Sequence, residues 1–171
     1  KTNCFSRNGK KYTQTPEINQ EINKMPIDNV ALDGELAIVD NKGKEDFKLA
    51  ASFMNTTKKT SIRQKREQFK KTNSKPKLLV FDVIDKESFE KNKGKKLYSE
   101  KYKELENMDF LNTEYTRKLK HKKAKSFQDL MTEFEKAINK GWEGLILRNG
   151  SAPYSSQSSY ISDLLKMKSM N

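Results

Sequence analysis

The stretch Val30-Ala31-Leu32-Asp33-Gly34-Glu35-Leu36-Ala37-Ile38-Val39 decides how the rest of the chain is read. Two carboxylates and a glycine interrupt an otherwise apolar run. As a strand, with side chains alternating between faces, it sends Val30, Leu32, Leu36 and Ile38 to one side and Asp33 and Glu35 to the other. One face can pack a core while the other carries chemistry. Trp142-Glu143-Gly144-Leu145-Ile146-Leu147-Arg148 and Leu164-Leu165-Lys166-Met167-Lys168 repeat the design, with ionised side chains set into short apolar runs.

Outward from that strand, Lys77-Leu78-Leu79-Val80-Phe81-Asp82-Val83-Ile84 reads as a second strand, apolar on both faces, with Asp82 out of place in it. Towards the N-terminus, Thr2 to Arg7 reads as a strand tail and Asn8-Gly9-Lys10 as its turn. Thr15-Pro16 opens a helix striped by Ile18, Ile22 and Met25. After the turn Asp40-Asn41-Lys42-Gly43, a short amphipathic helix carries Phe47, Ala50, Ala51 and Met54 and ends near Asn55. Residues 56–75 read as an exposed basic connection with a helical turn around Ile62 to Phe69, as readily a solvated face as a nucleic-acid contact.

Lys91 to Lys96 reads as a loop, and Tyr98, Tyr102 and Leu105 as a helical stripe. Ser126 caps the next helix, whose inner face is Phe127, Leu130, Met131, Phe134 and Ile138, and Gly141 ends it. A strand over 142–148 follows, then a turn over 149–154, a polar loop over 155–159 and a closing strand from about Tyr160 to Met167. On that last strand Lys166 and Lys168, two apart, share a side. Strands and helices alternate without a regular strand-helix-strand beat, which predicts an α+β fold with antiparallel sheets.

At 171 residues the length suits one domain. The formal net charge is +12, from 35 basic against 23 acidic residues, so the excess is a biased surface. A polyanionic partner and a merely soluble lysine-rich surface explain it equally well. Cys4, the single cysteine, excludes an intrachain disulfide and fits a reducing, intracellular setting. The single histidine, His121, lies in the charged run Lys118 to Lys125 and reads as a surface residue. Histidine-clustered metal sites and a Ser-His-Asp triad are thereby disfavoured. No apolar run is long enough to span a membrane, and the glycines form neither a Walker loop nor a dinucleotide fingerprint. Phosphates, if handled, must meet lysine and arginine side chains.

The out-of-place residues are then Glu35, Glu143, Lys166, Lys168, Arg7 and Phe81. Carboxylates can hold Mg²⁺, lysines can neutralise a transferring phosphate, and an aromatic face can stack on a base. Each has a plainer reading alone: Phe81 as core beside Leu79 and Val83, the glutamates as salt-bridged, the lysines as a blunted edge, Trp142 as a packing anchor.

Together, Ser6-Arg7-Asn8-Gly9-Lys10, Leu32-Asp33-Gly34-Glu35-Leu36, Leu78 to Val83, Glu143 to Arg148 and Leu164 to Lys168 stand in one order. In that order they resemble the nucleotidyltransferase motifs of ATP-dependent DNA ligases. The resemblance implies antiparallel sheets flanked by helices around a nucleotide cleft, the ATP-grasp-like fold shared with mRNA-capping enzymes. It implies an adenylation domain over 1–171, N-terminally incomplete, which in relatives continues into an OB domain. ATP is the implied AMP donor and Mg²⁺ the implied metal. The implied partner is nicked duplex DNA, met by a monomer in the cytoplasm or nucleus, or in a host cell were the source viral or phage.

Carried over by residue, Lys166, Lys168 and Glu35 are catalytic, and Arg7, Glu35, Phe81, Glu143, Lys166 and Lys168 bind the nucleotide. Glu35 and Glu143 take the metal, Arg7 and Arg148 contact DNA, and Gly34 and Gly144 let backbone approach the nucleotide. The family's nucleophilic lysine, in a Lys-x-Asp-Gly motif, has no counterpart in these residues. The alternatives are an RNA ligase, an mRNA-capping guanylyltransferase, or a non-catalytic basic nucleic-acid-binding module.

Overall fold

A computed structural model describes residues 2–155 and 163–169. In chain order its elements are β1 (Cys4–Phe5), β2 (Lys11–Tyr12), α1 (Pro16–Ile22), β3 (Val30–Val39), β4 (Glu45–Asp46), α2 (Phe47–Met54), α3 (Lys59–Lys71) and β5 (Lys75–Asp85). They continue with α4 (Lys86–Glu90), β6 (Lys93–Leu97), α5 (Tyr98–Glu106), a 3₁₀ turn (Asp109–Leu111), β7 (Thr116–Lys118), α6 (Phe127–Asn139), β8 (Gly144–Arg148), β9 (Pro153–Ser155) and β10 (Leu164–Lys168). The fold is α+β, as expected, and the chain divides into two compact units. Among the described residues, one comprises those up to Asp28, Leu32–Val83 and Met108–Leu119; the other comprises Asn29–Ala31, Ile84–Asn107 and those from Lys120 onward.

The first unit is built on a sheet of order β4-β3-β5-β7. Strand β3 runs antiparallel to β4 but β5 pairs with β7 in parallel, Leu78 opposite Thr116, which departs from the expected all-antiparallel sheets. The long excursion from Asp85 to Met108 makes this possible, because a parallel pair needs a crossover of a dozen residues or more. The period of two in β3 holds. Ile38 joins Ala50, Phe53, Met54 and Phe69 in one buried cluster, while Ala37 and Val39 join Leu79 in another.

Helix α3 is longer than the helical turn expected from its composition, because its few apolar residues are well placed. Ile62 and Phe69 are seven apart, so they fall on one stripe, and the Phe69 ring meets Phe53 edge-on at 5.2 Å. Such a pair adds about 0.5–1.5 kcal/mol beyond the area it buries. Arg66 clamps the helix with its two terminal guanidinium nitrogens each 3.0 Å from a Glu17 carboxylate oxygen, and it also donates to the Gln14 carbonyl. Arg66→Ala is therefore expected to cost about 1–3 kcal/mol of stability, read by urea denaturation, since one charged partner loses its bidentate hydrogen bonds.

In the second unit β6 pairs antiparallel with β9, and β8 with β10. Lys91 to Lys96 is thus partly strand, a correction to the expected loop. Lys93-Gly94-Lys95-Lys96 carries no apolar alternation, so the pairing with β9 rather than the local pattern makes it extended. The single histidine is corrected too: His121 is half-buried, 4.5 Å from the Tyr102 ring and 5.8 Å from the Tyr98 ring, and its carbonyl accepts from the Tyr102 hydroxyl at 2.9 Å.

Helix α6 starts where its sequence says. The Ser126 hydroxyl accepts from the Asp129 amide at 3.1 Å, and Gly141, at φ +79°, follows the last turn. Phe127, however, is 75% exposed and does not share the inner stripe expected of it. Ser126→Ala is expected to lower stability by about 1 kcal/mol, the usual cost of an N-cap hydroxyl, measured by thermal or urea unfolding. Strand β9 takes in Ser155, where a polar loop over 155–159 is expected; the rest of that loop and the strand start expected at about Tyr160 lie outside the described residues, and β10 begins at Leu164 within them. Among the described residues no helix is long and apolar enough to cross a membrane.

Candidate functional site

In the first unit, the alternation that buries Ala37, Val39 and Leu79 together places Asp33 and Glu35 of β3 and Phe81 of β5 on that same face of the sheet. The face changes character along its length. Ala37 and Val39 are buried, Phe81 is half-buried, and Asp33 and Glu35 are exposed. Asp82, which looked misplaced, points to the opposite face and is 3% exposed. At Gly34, β3 lies close against β5: a Cβ there would sit 2.6 Å from the Leu79 carbonyl oxygen.

Arg7 lies apart from these residues in sequence, in the turn between β1 and β2. There the Ser6 amide donates to the Lys10 carbonyl at 2.8 Å and the Gly9 amide to the Ser6 carbonyl at 2.9 Å. Gly9 takes φ +77°, which closes the turn and leaves Arg7 exposed.

In the second unit the β8–β10 ladder assembles the other candidates. Lys166 faces Ile146, Lys168 faces Gly144, and Leu164 faces Arg148. Directly paired residues share a sheet face, so Lys166, Lys168, Ile146 and Arg148 lie on one side and Leu145, Leu147, Leu165 and Met167 on the other. The Lys168 ammonium donates to the Glu143 carboxylate at 2.8 Å, and both groups are largely open to water. The Arg148 guanidinium sits over the Tyr98 ring, 4.8 Å from its centroid. Trp142 is 45% exposed with the Lys140 ammonium 5.2 Å from its ring centroid, so it is not the packing anchor its type suggested.

The nominated residues therefore form two sets. Glu35 and Phe81 share a sheet face in one unit, where Arg7 also lies; in the other, Lys166, Lys168 and Arg148 share a face of the β8–β10 ladder and Glu143, just before β8, bonds Lys168. Two residues on these faces are not among the nominated ones, although the sequence already puts Asp33 on the face of Glu35. Asp33 is exposed beside Glu35, and Ile146, 55% exposed, lies on the lysine face. The period of two in β3 and β8 was the signal for both. The glycines are explained differently from the expectation. A Cβ at Gly144, whose φ is +150°, would lie 1.9 Å from the Met167 carbonyl oxygen, so strand-to-strand approach demands glycine here, as at Gly34.

Among the described residues no three His, Cys, Asp or Glu side chains gather as a metal cage. Mg²⁺ does not need one, since it is held by one or two carboxylates and completes its shell with waters and substrate phosphates. The exposed Asp33 and Glu35 pair fits that demand. Glu143, also exposed, is a further carboxylate of this kind, and it is hydrogen-bonded to Lys168.

With this geometry in view, the profile of the ATP-dependent DNA ligase domain matches residues 1–168. No curated protein matches the chain significantly. Among solved structures, Pmar-Lig_PreS3 superposes with a TM-score of 0.74 at 18% identity, covering 98% of this chain and 37% of that one. The structure named Pmar-Lig_Pre. superposes with a TM-score of 0.72, also at 18% identity, covering 98% of this chain and 37% of that one. At such identity the likeness shows the fold, and the chain spans little more than a third of either structure. The profile match over nearly the whole sequence carries the assignment: the chain belongs to the ATP-dependent DNA ligase domain family.

Proposed function

We propose that this chain is the adenylation domain of a ligase that seals nicks in duplex DNA. The observation that carries this reading is the β8–β10 ladder, which sets Lys166 beside Lys168 and ties Lys168 to Glu143 at 2.8 Å. Phosphoryl transfer is mostly positioning and charge neutralisation, and ammonium groups on a hydrogen-bonded strand hold position better than groups on a loop.

In the proposed sequence a lysine amine attacks the α-phosphorus of ATP, and pyrophosphate leaves. The 5′ phosphate at a nick then displaces the lysine and becomes adenylylated. Finally the 3′ hydroxyl attacks that 5′ phosphorus, forming the phosphodiester and releasing AMP. Lys166 and Lys168 neutralise the nucleotide phosphate. Glu143 orients Lys168 through their 2.8 Å hydrogen bond. Phe81 offers a ring face to adenine, and Arg7 contacts ribose or the nick phosphate. Arg148, steadied on Tyr98, contacts DNA phosphate. Bound Mg²⁺ would screen phosphate charge; in the first unit Glu35, with Asp33 beside it, is the carboxylate proposed for it, and in the second unit Glu143.

No Lys-x-Asp-Gly occurs in the 171 residues, so no residue of this chain is assigned as the acceptor lysine. The test uses the complete protein with α-labelled ATP, then nicked DNA or nicked RNA. Label on the protein followed by sealing of the DNA duplex is the expected result. Preferential sealing of RNA selects the RNA ligase, labelling by GTP instead of ATP selects the capping enzyme, and no labelling with Mg²⁺ present selects the non-catalytic module.

A further inference from the structure

We propose that the outer face of α3 is a second contact for the backbone of duplex DNA, apart from the residues the family motifs single out. For its choice of partner this rests on the ligase reading above.

Of the cations on α3, those near the protein are already used. Arg66 is bound to Glu17, and the Lys65 ammonium donates to the Ser52 carbonyl and hydroxyl at 2.9 and 2.7 Å. Glu67, the helix's single acid, is matched by Lys70 at 3.1 Å. Lys59, Arg63 and Lys71 remain, exposed and without an ion pair among the described residues. Their spacings of four and eight keep them on one side of the helix. Lys59 to Lys71 spans about 18 Å at 1.5 Å per residue. That length matches about five steps of duplex at 3.4 Å each.

Thr60, Arg63, Gln64, Glu67, Gln68 and Lys71 line this open side of the helix. Local energetics do not account for the cations. The helix has no side-chain N-cap and no acid in its first turn, and Lys59 at its start opposes the helix dipole. The neutral residues between the cations, Thr60, Gln64 and Gln68, are hydroxyls and amides of the kind that contact phosphate oxygens. No large apolar side chain is exposed on α3, whereas a protein interface wants an aromatic or aliphatic anchor and a membrane surface wants an apolar face. A regularly charged polyanion is the partner this face fits.

The test compares full-length protein with a Lys59→Ala/Arg63→Ala/Lys71→Ala variant in binding to intact and nicked duplex, without ATP, across a salt series. Three lost phosphate contacts should make the slope of log K against log salt shallower by about 2–3, equally for both duplexes. The control is Lys42→Ala/Lys44→Ala/Lys48→Ala, which removes the same charge from other exposed positions of this chain. Unfolding curves of both variants should overlay the parent's. A slope that does not change, or that changes no more than in the control, overturns the proposal. Because intact duplex without ATP is the probe, a shallower slope supports this surface even if sealing fails. A protein that seals nicks with its slope unaltered refutes the surface and leaves the ligase reading standing.

Discussion

Replacing Lys166 by alanine in the complete protein is expected to lower nick sealing by a factor of 10²–10³ or more, about 3–4 kcal/mol of transition-state stabilisation. The fold should survive, because Lys166 is an exposed residue of β10 whose backbone, not its side chain, holds the register opposite Ile146. The loss arises because an ammonium fixed on a strand meets charge that grows on the phosphate during transfer. Water can supply no equivalent without first reorganising. The measurements are the fraction of nicked duplex sealed with time and the label retained on the protein from α-labelled ATP. Glu35→Ala should behave alike, as an exposed residue of β3 with no part in either buried cluster. Sealing by either variant at the parent rate removes that residue from the mechanism.

Gly144→Ala should cost about 3–5 kcal/mol of stability, a large share of the roughly 5–15 kcal/mol an ordinary domain has. Two penalties combine. The backbone at φ +150° is strained for any residue with a Cβ, and that Cβ would lie 1.9 Å from the Met167 carbonyl oxygen and 3.0 Å from Lys168 Cα. Neither obstacle is a flexible side chain, so β8 and β10 must separate and the register of Lys166 and Lys168 is lost with them. Gly141→Ala is the comparison. Its φ of +79° is also unfavourable, yet nothing lies within 4 Å of the added carbon, so about 1–2 kcal/mol is expected. Urea unfolding of both variants measures the difference. Equal destabilisation would mean that the β8–β10 contact contributes little.

Legibility in the sequence followed the range of the interaction. Ser126, its periodic helix and Gly141 could be read because caps and stripes act within a few residues, and the alternation of β3 could be read because a pleat has a fixed period of two. Where a partner strand supplies the order, nothing local announced it. The strand at Lys93–Leu97 and the parallel pairing of Thr116–Lys118 have no apolar pattern of their own. His121 was misread because a charged neighbourhood in sequence says nothing of the two tyrosine rings the fold brings to it.

The candidate site divides in the same way. Sequence alone determined which residues are chemically out of place and, through their order, the family to which they belong; the face of Glu35 and the shared side of Lys166 and Lys168 also followed from it. Tertiary structure alone decided that Lys168 engages Glu143, that Arg148 rests on Tyr98, and that Gly34 and Gly144 are required by neighbouring backbone. Side-chain alternation is a property of one strand, whereas an ion pair or a steric limit exists only once two distant segments have been placed within a few ångströms of each other.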